Sequence, residues 1–283
     1  QAHCPGCHQG GYVVTRCVVW FSCGAASFTA AELALKARDE GQLPHGADEV
    51  IIAYCDVLSR EHPDNLRFLK DAEKHFGQEV VILGNDEYDR DPDVVFRKTR
   101  YLVGPGGARC TAELKKAVRY DFQKASDIVV LGFTTEEYKT RMARLENAEP
   151  ATRFWPVLHE HGVTKADCYA AVNKAGIDMP AMYKLGYKNN NCIGCVKGQA
   201  GYWNKIRVDF PERFAEMAKI ERELGRTICK KEWVENGERK LKRIYLDELP
   251  PTLGRYKAEA DIECGILCDG GEQLELSLED ATS

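Results

Sequence analysis

The sequence contains one cysteine pair whose spacing is typical of metal and redox sites. Cys192 and Cys195 are separated by two residues and lie in residues 186–204, a stretch rich in glycine, asparagine and cysteine. An irregular loop of this kind can wrap its backbone amides around sulfur atoms. Taken alone, the pair is compatible with zinc binding, thiol–disulfide chemistry or an iron–sulfur cluster. Three residues before Cys192 can cap or line a site there, although the favoured interpretation is that of loop residues that tolerate left-handed backbone: Asn189, Asn190 and Asn191.

A second candidate site follows an apolar run near the start of the chain. Residues 17–21 (CVVWF) have the continuous apolar pattern of a buried parallel strand. They are followed by Ser22, Cys23, Gly24, Ala25, Ala26 and Ser27. A strand, a turn of small residues and a helix N-terminus together present backbone N–H groups that suit an anion. The same pattern is also typical of an ordinary tight turn, so both interpretations stay open here.

Strands and helices alternate in the first 150 residues. Buried strands are predicted at residues 17–21, 49–55, 79–83 and 127–132, and a short extended run follows at residues 154–158. Helices are predicted at residues 29–40, 63–76, 111–124 and 136–145, with Thr111 as an N-cap. The alternation indicates an α/β fold, with a mostly parallel twisted sheet and helices on both faces. A helical and cysteine-rich C-terminal extension follows the sheet.

Composition excludes several classes of protein. Hydrophobic residues make up 44% of the 283 residues, enough for a packed core, and the net charge of −5 comes without a long basic run. A large nucleic-acid footprint is therefore not expected. No apolar stretch approaches the ~20 residues of a membrane span, and the first thirty residues lack the pattern of an export signal. We expect a cytoplasmic protein.

Twelve cysteines in such a chain indicate metal or thiol chemistry more than a disulfide framework. Four of them stand alone in apolar or mixed contexts and are expected to be small buried residues: Cys17, Cys55, Cys168 and Cys229. The N-terminal tail holds Cys4 and Cys7 between His3 and His8, a zinc-like spacing. A mobile tail is the favoured interpretation there, because no hydrophobic partner segment accompanies these residues.

Several segments resemble, in order, the adenine nucleotide alpha-hydrolase-like superfamily. Residues 17–27 resemble its pyrophosphate loop. The most similar branch contains the phosphoadenylyl-sulfate (PAPS) and adenylyl-sulfate (APS) reductases, especially their short phage-encoded relatives. The remaining segments that agree are 56–68, 109–116, 131–141, 154–158 and 187–203. The resemblance implies the fold of that superfamily and covers roughly residues 16–225.

The loop departs from the members that hydrolyse ATP, which usually carry Ser-Gly-Gly-x-Asp-Ser. Cys23 stands in place of the first glycine and Ala26 in place of the aspartate. The substitution removes a carboxylate linked to Mg²⁺. Reductase loops often lack it too, because they bind a 5′-phosphosulfate and expel no pyrophosphate. The resemblance therefore implies nucleotide binding without adenylation.

The resemblance also implies roles for cysteines. In APS reductases a Cys-Cys pair and, about eighty residues later, a Cys-x-x-Cys pair hold a [4Fe–4S] cluster. Cys110 lies 82 residues before Cys192, but Arg109 replaces the other cysteine of the first pair. We expect a [4Fe–4S] cluster, with zinc as the fallback, on Cys110, Cys192, Cys195 and a fourth ligand. That ligand is expected to be Cys268, with Cys264 as the alternative.

The segment Glu263-Cys264-Gly265 resembles the C-terminal Glu-Cys-Gly of these reductases, whose cysteine attacks the sulfate sulfur. Such a thiolate displaces AMP or its 3′-phosphate form, and a second thiol, from thioredoxin or glutaredoxin, then releases sulfite. Cys264 is therefore the candidate nucleophile. The family's following Leu-His is absent, because Ile266 and Leu267 come next. A metal-ligand role and a structural role for Cys264 stay open.

Basic residues near the predicted strand ends are candidates for binding phosphate or sulfate: Arg109, Lys115 and Lys116. Gly132 and Arg141 lie in an element that resembles the family's phosphate-contacting stretch, so both are assigned to nucleotide binding. Asp56 ends the second predicted strand and is the candidate for holding the ribose. Each of these residues has a simpler interpretation as a solvated or turn residue.

These features divide the chain into four parts: a tail (1–14), a nucleotide-binding α/β domain (15–160), a helical and cluster-binding extension (161–271) and an acidic tail (272–283). Within the extension, Asn236-Gly237 predicts a hairpin turn. The surrounding charges are mixed in sign, which favours a solvated surface.

The sequence thus predicts a sulfonucleotide reductase-like enzyme that binds PAPS or APS and uses thioredoxin or glutaredoxin as reductant. One alternative is an iron–sulfur enzyme that thiolates tRNA or DNA with ATP, and only this reading makes nucleic acid a partner. Another is a non-catalytic phage protein that binds a nucleotide or a cluster. The sequence is compatible with a homodimer.

Overall fold

A computed structural model describes residues 14–262 of the chain. The expectations for Cys4, Cys7, Cys264 and Cys268 concern residues outside this range. The strands are β1 (Arg16–Trp20), β2 (Glu49–Cys55), β3 (Val81–Leu83), β4 (Val103–Gly104), β5 (Gly107–Ala108), β6 (Ile128–Val130), β7 (Arg153–Trp155), β8 (Cys229–Glu235) and β9 (Glu238–Ile244).

Five of these strands form the central sheet, in the order β3-β2-β1-β6-β7, and every neighbouring pair is parallel. Strand β1 is buried along its whole length, as its central place in the sheet requires. The chain moves outward from β1 to β3 and then returns to β6 on the other side of β1. The strand order therefore reverses between β1 and β6, where α/β sheets bind ligands.

The helices are α1 (Ala25–Asp39), α2 (Asp64–Phe76), α3 (Pro92–Thr99), α4 (Arg109–Thr111), α5 (Ala117–Phe122), α6 (Thr135–Glu137), α7 (Ala143–Ala148), α8 (Val157–Glu160), α9 (Lys165–Lys174), α10 (Ala181–Lys184), α11 (Ala200–Asp209) and α12 (Pro211–Leu224). Two π-helical segments, Ala112–Lys116 and Tyr138–Met142, join α4 to α5 and α6 to α7. Short 3₁₀ turns lie at Pro44–Gly46, Leu58–Arg60, Asp86–Tyr88, Leu246–Glu248 and Tyr256–Ala258.

Apolar side chains cover both faces of the sheet, because neighbouring strand residues point to opposite sides. On one face Cys17 and Val19 of β1 pack with residues of α1, α2, α8 and α9. On the other face Val18 and Trp20 pack against α5, against Met142 of the second π-helical segment and against Leu145 of α7. The predicted α/β fold with helices on both sides of a parallel sheet is confirmed.

Three local predictions were wrong. Thr111 is not an N-cap, because the helix already begins at Arg109 and the Thr111 hydroxyl is buried in its first turn. The segment predicted as extended at 154–158 is a strand only to Trp155, after which α8 begins. Helix α1 begins at Ala25 rather than at Thr29, so the turn of small residues runs directly into the helix.

The second half of the chain builds a further core around α11 and α12. This core includes Cys195, Trp203 and Met217, and the ends of the β8–β9 hairpin close it through Cys229 and Ile244. The Asn236-Gly237 turn has positive φ at both residues, as predicted for this hairpin. None of the helices described in residues 14–262 is long and apolar enough to cross a membrane.

A buried carboxylate holds the base of this hairpin to α12. Glu221 accepts hydrogen bonds from the backbone N–H of Ile228 and of Leu246, both at 2.5 Å. These two residues flank the hairpin, so one side chain fixes both of its ends. Burial raises the pKa of Glu221 to about 7 against the opposing effect of the two backbone hydrogen bonds.

We predict that this group makes stability depend on pH. An acid whose pKa is higher in the folded chain binds its proton more tightly there. The free energy of unfolding therefore falls as pH rises from about 4.5 to about 7, by up to about 3 kcal/mol. Glu221→Gln keeps an oxygen acceptor but does not titrate. Urea unfolding at several pH values should show the stability difference between wild type and Glu221→Gln changing across this window. Glu212→Gln, at an exposed site on the same helix, should follow wild type; parallel curves for wild type and Glu221→Gln would contradict the prediction.

Candidate functional site

A cavity of about 1150 Å³, including its open mouth, lies at the carboxyl ends of β1, β2 and β6. We call it the sheet cavity. Its walls include Ser22 and the segment 24–27 after β1, Gly132 after β6, and Asn190 from the loop before the cysteine pair. The cavity thus lies where the strand order reverses, which is the place that the topology favours for a ligand.

The loop after β1 is held in shape by its own serines. Ser27 Oγ accepts hydrogen bonds from the Ser22 amide and hydroxyl, each at 3.1 Å, and donates to the Gly24 carbonyl at 3.0 Å. Among the described residues, helix α1 begins at Ala25 with no side-chain bond from its N-cap residue and no acidic residue in its first turn, and only the Ala25 N–H has a side-chain acceptor, Tyr183 Oη at 3.4 Å. Its N-terminus therefore keeps the partial positive charge that favours an anion.

Gly132 permits a close approach between two of these elements. A Cβ at this position would lie 2.6 Å from the Ser27 amide nitrogen and 2.8 Å from the Ala26 carbonyl carbon. Only glycine therefore lets the segment after β6 pack against the start of α1.

Three cationic side chains line the sheet cavity: Lys115, Arg141 and Lys165. Arg141 pairs with Glu137 at 2.6 Å and lies over the Phe133 ring, which holds its guanidinium at the wall. Lys115 and Arg141 both lie in π-helical segments. Such segments insert an extra residue into a helical turn, and they are frequent at functional sites.

Two asparagines of the triplet before Cys192 hold the C-terminal end of the described chain. The side-chain amides of Asn189 and Asn191 donate to the Ile262 carbonyl at 3.3 and 3.0 Å. Lys165 reinforces this link, because its Nζ lies 3.0 Å from Asp261 and 3.1 Å from Asn189. Ile262 itself lines the sheet cavity, so the chain reaches the rim two residues before Cys264.

The middle asparagine connects the cysteine loop to the loop after β1. Asn190 Nδ2 donates to the Cys23 carbonyl at 2.7 Å and to Asn65 Oδ1 at 2.8 Å. Its Oδ1 is buried and has no hydrogen-bond partner among the described residues. The triplet does not adopt the left-handed backbone that its composition suggested. Its side chains are used as hydrogen-bond donors and all three residues line the sheet cavity, so the structure agrees with the alternative that the triplet lines the site.

A second cavity lies beside the first, and we call it the cysteine cavity. It encloses about 460 Å³ and is lined by Cys110, Cys192 and Cys195. The structure therefore brings three cysteines from distant parts of the sequence to one cavity. Four cationic side chains also line it: Arg60, Lys115, Lys197 and Arg213. Lys115 lines both cavities.

The Cys192–Cys195 loop is wrapped around one phenol group. Tyr202 Oη accepts hydrogen bonds from the amides of Gly194 and Cys195, at 3.1 and 3.0 Å, and donates to the Cys192 carbonyl at 3.2 Å. Gly194 has φ +73°, and a Cβ there would contact the Arg213 and Trp203 side chains at 3.0 and 3.1 Å. Glycine is required at this position for both reasons.

The donor set of the cysteine cavity suits a sulfur-ligated group that carries negative charge. Thiolates bind both zinc and iron–sulfur clusters, and nearby cations stabilise the charge of either group. Residues 14–262 contain no group of three or more His, Cys, Asp or Glu side chains gathered as ligands of a metal ion. Zinc would draw its ligand sulfurs to about 2.3 Å from one point.

Four of the residues predicted to bind nucleotide, phosphate or sulfate do not line the sheet cavity. Asp56 bonds the Leu58 amide and forms an ion pair with Arg90 at 3.1 Å, so it has the turn role rather than a place beside a ligand. Arg109 pairs with Glu113 at 2.6 Å on the helix surface. Lys116 lines neither cavity. Cys23 is buried beneath the loop, with φ +53°.

The cysteines assigned to packing are confirmed as buried residues. Burial raises the pKa of Cys17, Cys55 and Cys229 to about 12 and that of Cys168 to about 11. They are therefore thiols at neutral pH and poor metal ligands.

Sequence reasoning missed Glu61 and Lys165, which both line the sheet cavity. Glu61 is buried, and its Oε2 accepts hydrogen bonds from Tyr54 Oη at 2.7 Å and from Asn65 Nδ2 at 2.8 Å. A charged residue within an apolar run of sequence would have indicated a functional site. Glu61 gives no such signal, because it lies in a polar stretch of sequence. Lys165 opens an ordinary helix, and its pattern contains no signal for a site.

No family model matches the chain, and none of the curated proteins matches it in sequence. The functional interpretation therefore depends on the geometry of the two cavities and on the resemblance of the motifs.

The close approach at Gly132 yields a prediction. Gly132→Ala should lower the free energy of unfolding by about 1–3 kcal/mol, because backbone atoms must move to make room for the methyl group. The matched control is Gly106→Ala, where no atom lies within 4 Å of the new Cβ and we expect a change within about 0.5 kcal/mol. Denaturant unfolding of the three proteins measures both effects. Equal stability of the two variants would show that the loop after β6 does not need this contact.

Proposed function

We propose that the chain is a sulfonucleotide reductase-like enzyme of a reducing, cytoplasmic compartment that cleaves PAPS or APS to sulfite and an adenosine phosphate. One observation carries the proposal: a cation-lined cavity at the strand-order reversal adjoins a cavity lined by three cysteines, and Lys115 lines both. An anionic nucleotide and thiol chemistry would thereby lie side by side.

The sheet cavity has the groups that a phosphosulfate needs. The uncapped N-terminus of α1 offers backbone N–H groups, and Arg141 offers a forked guanidinium for phosphate oxygens. Lys115 and Lys165 add point charges. The buried Asn190 Oδ1 can accept a hydrogen bond from an amino or hydroxyl group of the nucleoside, which would relieve the cost of about 1–3 kcal/mol for an unsatisfied buried acceptor.

The proposed reaction uses two thiols in sequence. The Cys264 thiolate attacks the sulfate sulfur, a Cys–S bond to sulfur forms, and the bond from that sulfur to the phosphate oxygen breaks, releasing AMP or its 3′-phosphate form. One thiolate of thioredoxin or glutaredoxin then attacks the Cys264 sulfur and releases sulfite. Its second thiol resolves the mixed disulfide, so the reductant supplies two electrons and becomes a disulfide.

The position of the chain end supports Cys264 as the nucleophile. Asn189 and Asn191 hold the Ile262 carbonyl at the rim of the sheet cavity. Cys264 follows Ile262 by two residues in the sequence. The sequence beyond Ile262 also contains Cys268, the proposed fourth ligand of the group in the cysteine cavity.

A [4Fe–4S] cluster on Cys110, Cys192, Cys195 and Cys268 is the group we propose for the cysteine cavity, with zinc as the fallback. When bound, it would supply a fixed negative charge and tie the three cysteine segments together. Lys115, which lines both cavities, would contribute its positive charge to both.

A second candidate function has one observation in its favour. Glu61 places a carboxylate in the sheet cavity, which Ala26, the residue that stands in place of the loop aspartate, also lines. A carboxylate there could hold Mg²⁺ on ATP. This favours the ATP-dependent thiolation of tRNA or DNA as the alternative reaction.

We predict that anaerobically purified protein forms sulfite from APS or PAPS when thioredoxin or glutaredoxin is present. Arg141→Gln should lower kcat/KM at least about tenfold, because a bidentate phosphate contact is lost. Arg144→Gln removes the same charge from an exposed position on the adjoining helix and should leave the rate unchanged.

Cys264→Ser should bind the nucleotide but form no S-sulfonate. ATP consumption with RNA or DNA and no sulfite would instead support the second candidate, and binding without turnover would support a non-catalytic nucleotide-binding protein.

The cysteine cavity yields a separate prediction. Cys110→Ser and Cys192→Ser should each abolish the absorbance near 400 nm, together with the bound iron and acid-labile sulfide, of anaerobically purified protein. Cys229→Ala, a buried change outside both cavities, should retain all three. Zinc without sulfide in the wild type would reject the cluster in favour of the fallback, and equal iron content in all four proteins would remove the assignment of these ligands.

A further inference from the structure

The β8–β9 hairpin concentrates positive charge that the proposed reaction does not use. Residues 229–244 hold six basic and three acidic side chains, in a chain whose net charge is −5. Within the described residues, neither cavity is lined by any part of this hairpin. Its charge therefore needs an explanation outside the two cavities.

The strand register places like charges against each other. Lys230 lies opposite Arg243, and Lys231 lies opposite Lys242. Directly opposed like charges destabilise an antiparallel pair, and this two-stranded ribbon has no neighbouring strand within residues 14–262 to offset the cost. Lys231, Lys242 and Arg243 form no ion pair in the same part of the chain. A polyanion bound across the ribbon would turn this repulsion into attraction.

One face of the ribbon combines these cations with an aromatic ring. Trp233 lies opposite Lys240. This pair is two positions along each strand from the Lys231–Lys242 pair, so all four side chains lie on the same face of the ribbon. We call this set of four residues the lysine face. The Trp233 side chain is 38% exposed, although tryptophan is ordinarily buried. Cations that follow a phosphate backbone and an exposed ring on which a base can stack are the features of single-strand binding surfaces.

The acidic residues restrict how a partner can approach. Glu232 belongs to the opposite face and is paired with Lys230 and Arg239. Glu235 and Glu238 share the lysine face at the tip of the ribbon, where Glu238 Oε2 lies 2.6 Å from Lys240 Nζ. A ribbon that entered a duplex groove or a lipid surface tip first would bring these carboxylates against phosphates. A strand that crosses the ribbon at the Lys231–Lys242 pair lies four positions along each strand from these carboxylates.

The hairpin is also held firmly enough to present a surface. Cys229 and Ile244 are buried in the core at its base, and Glu221 binds the backbone at both ends. The nearest acidic residues beyond the base, Asp247 and Glu248, are paired with Arg222 and add little repulsion.

We propose that the lysine face binds a single-stranded nucleic acid, with phosphates at Lys231 and Lys242 and a base stacked on Trp233. The proposal concerns binding alone and does not depend on which reaction the cavities perform. Single-stranded RNA and DNA share this chemistry, and the experiment distinguishes them.

Fluorescence anisotropy of labelled 12-nucleotide oligo(U) and oligo(dT), with the full chain, tests the proposal. We expect a dissociation constant of about 1–100 µM at physiological salt. Lys231→Glu with Lys242→Glu should weaken binding at least about tenfold and reduce the salt slope by about 1.4, since each lost phosphate contact removes about 0.7 on a single strand. Trp233→Ala should weaken binding without changing that slope. A preference for oligo(U) or oligo(dT) would identify the natural strand.

The control is Lys70→Glu with Lys219→Glu, which changes the net charge equally at exposed positions on α2 and α12 and should bind like wild type. Circular dichroism verifies that each variant is folded. The proposal fails if the two double variants lose affinity equally, or if the wild type binds a 12-base-pair duplex or anionic vesicles of phosphatidylserine more tightly than the single strands. Sulfite formation by Lys231→Glu with Lys242→Glu should equal that of wild type, so the two proposals can fail separately.

Discussion

The hydrogen bond from Asn190 to the Cys23 carbonyl is the contact on which the arrangement of the two cavities depends. Cys23 has φ +53°, a conformation that costs a residue with a side chain about 1–2 kcal/mol. Its side chain is fully buried, and its carbonyl accepts a 2.7 Å bond from Asn190. The loop after β1 therefore keeps a glycine-like backbone without the glycine. The same bond fixes the start of the Cys192–Cys195 loop against the sheet.

The cations of the sheet cavity are placed by interruptions in helices rather than by regular helices. Lys115 and Arg141 belong to separate π-helical segments, Ala112–Lys116 and Tyr138–Met142. A wider turn changes the direction in which the following side chains leave the helix, so a residue expected on one side can reach another. Both irregular turns lie beside the strand-order reversal. Two separate π-helical segments thus each place one cationic side chain, Lys115 or Arg141, on the wall of the sheet cavity.

The sheet could be predicted from the sequence because each buried strand is a continuous apolar run. Residues 17–21 and 49–55 contain β1 and β2 almost to the residue, since a strand covered on both faces has no polar position to confuse the pattern. The hairpin was predictable for a similar reason, because Asn236 and Gly237 favour the positive φ that its turn needs. These features depend on residues that are neighbours in the sequence.

Most of the candidate site depends instead on residues that are distant in sequence, and single-sequence reasoning found it only where motif resemblance supplied the link. The pairing of Asp56 with Arg90, which makes Asp56 a turn residue, joins positions 34 residues apart. A helical period of 3.6 residues cannot reveal a π-helical turn, so the sequence named Lys115 as a candidate for binding phosphate or sulfate but did not indicate that it lines both cavities.

Polar contacts and apolar packing together set the position of the cysteines relative to the sheet, since Cys110 and Cys192 pack against a small cluster that includes Val57 and Leu114. The core that contains Cys195 is distinct from the two cores that cover the sheet faces. Between the two halves lie the Arg213–Asp93 pair, at 2.7 and 2.8 Å, and the Ile193 amide, which donates to the Arg60 carbonyl at 2.7 Å. Hydrogen bonds and buried ion pairs tolerate little change in distance, whereas apolar surfaces can slide and repack. A junction built from such contacts stabilises one separation between the cavities, which a reaction shared between a bound anion and nearby thiols requires.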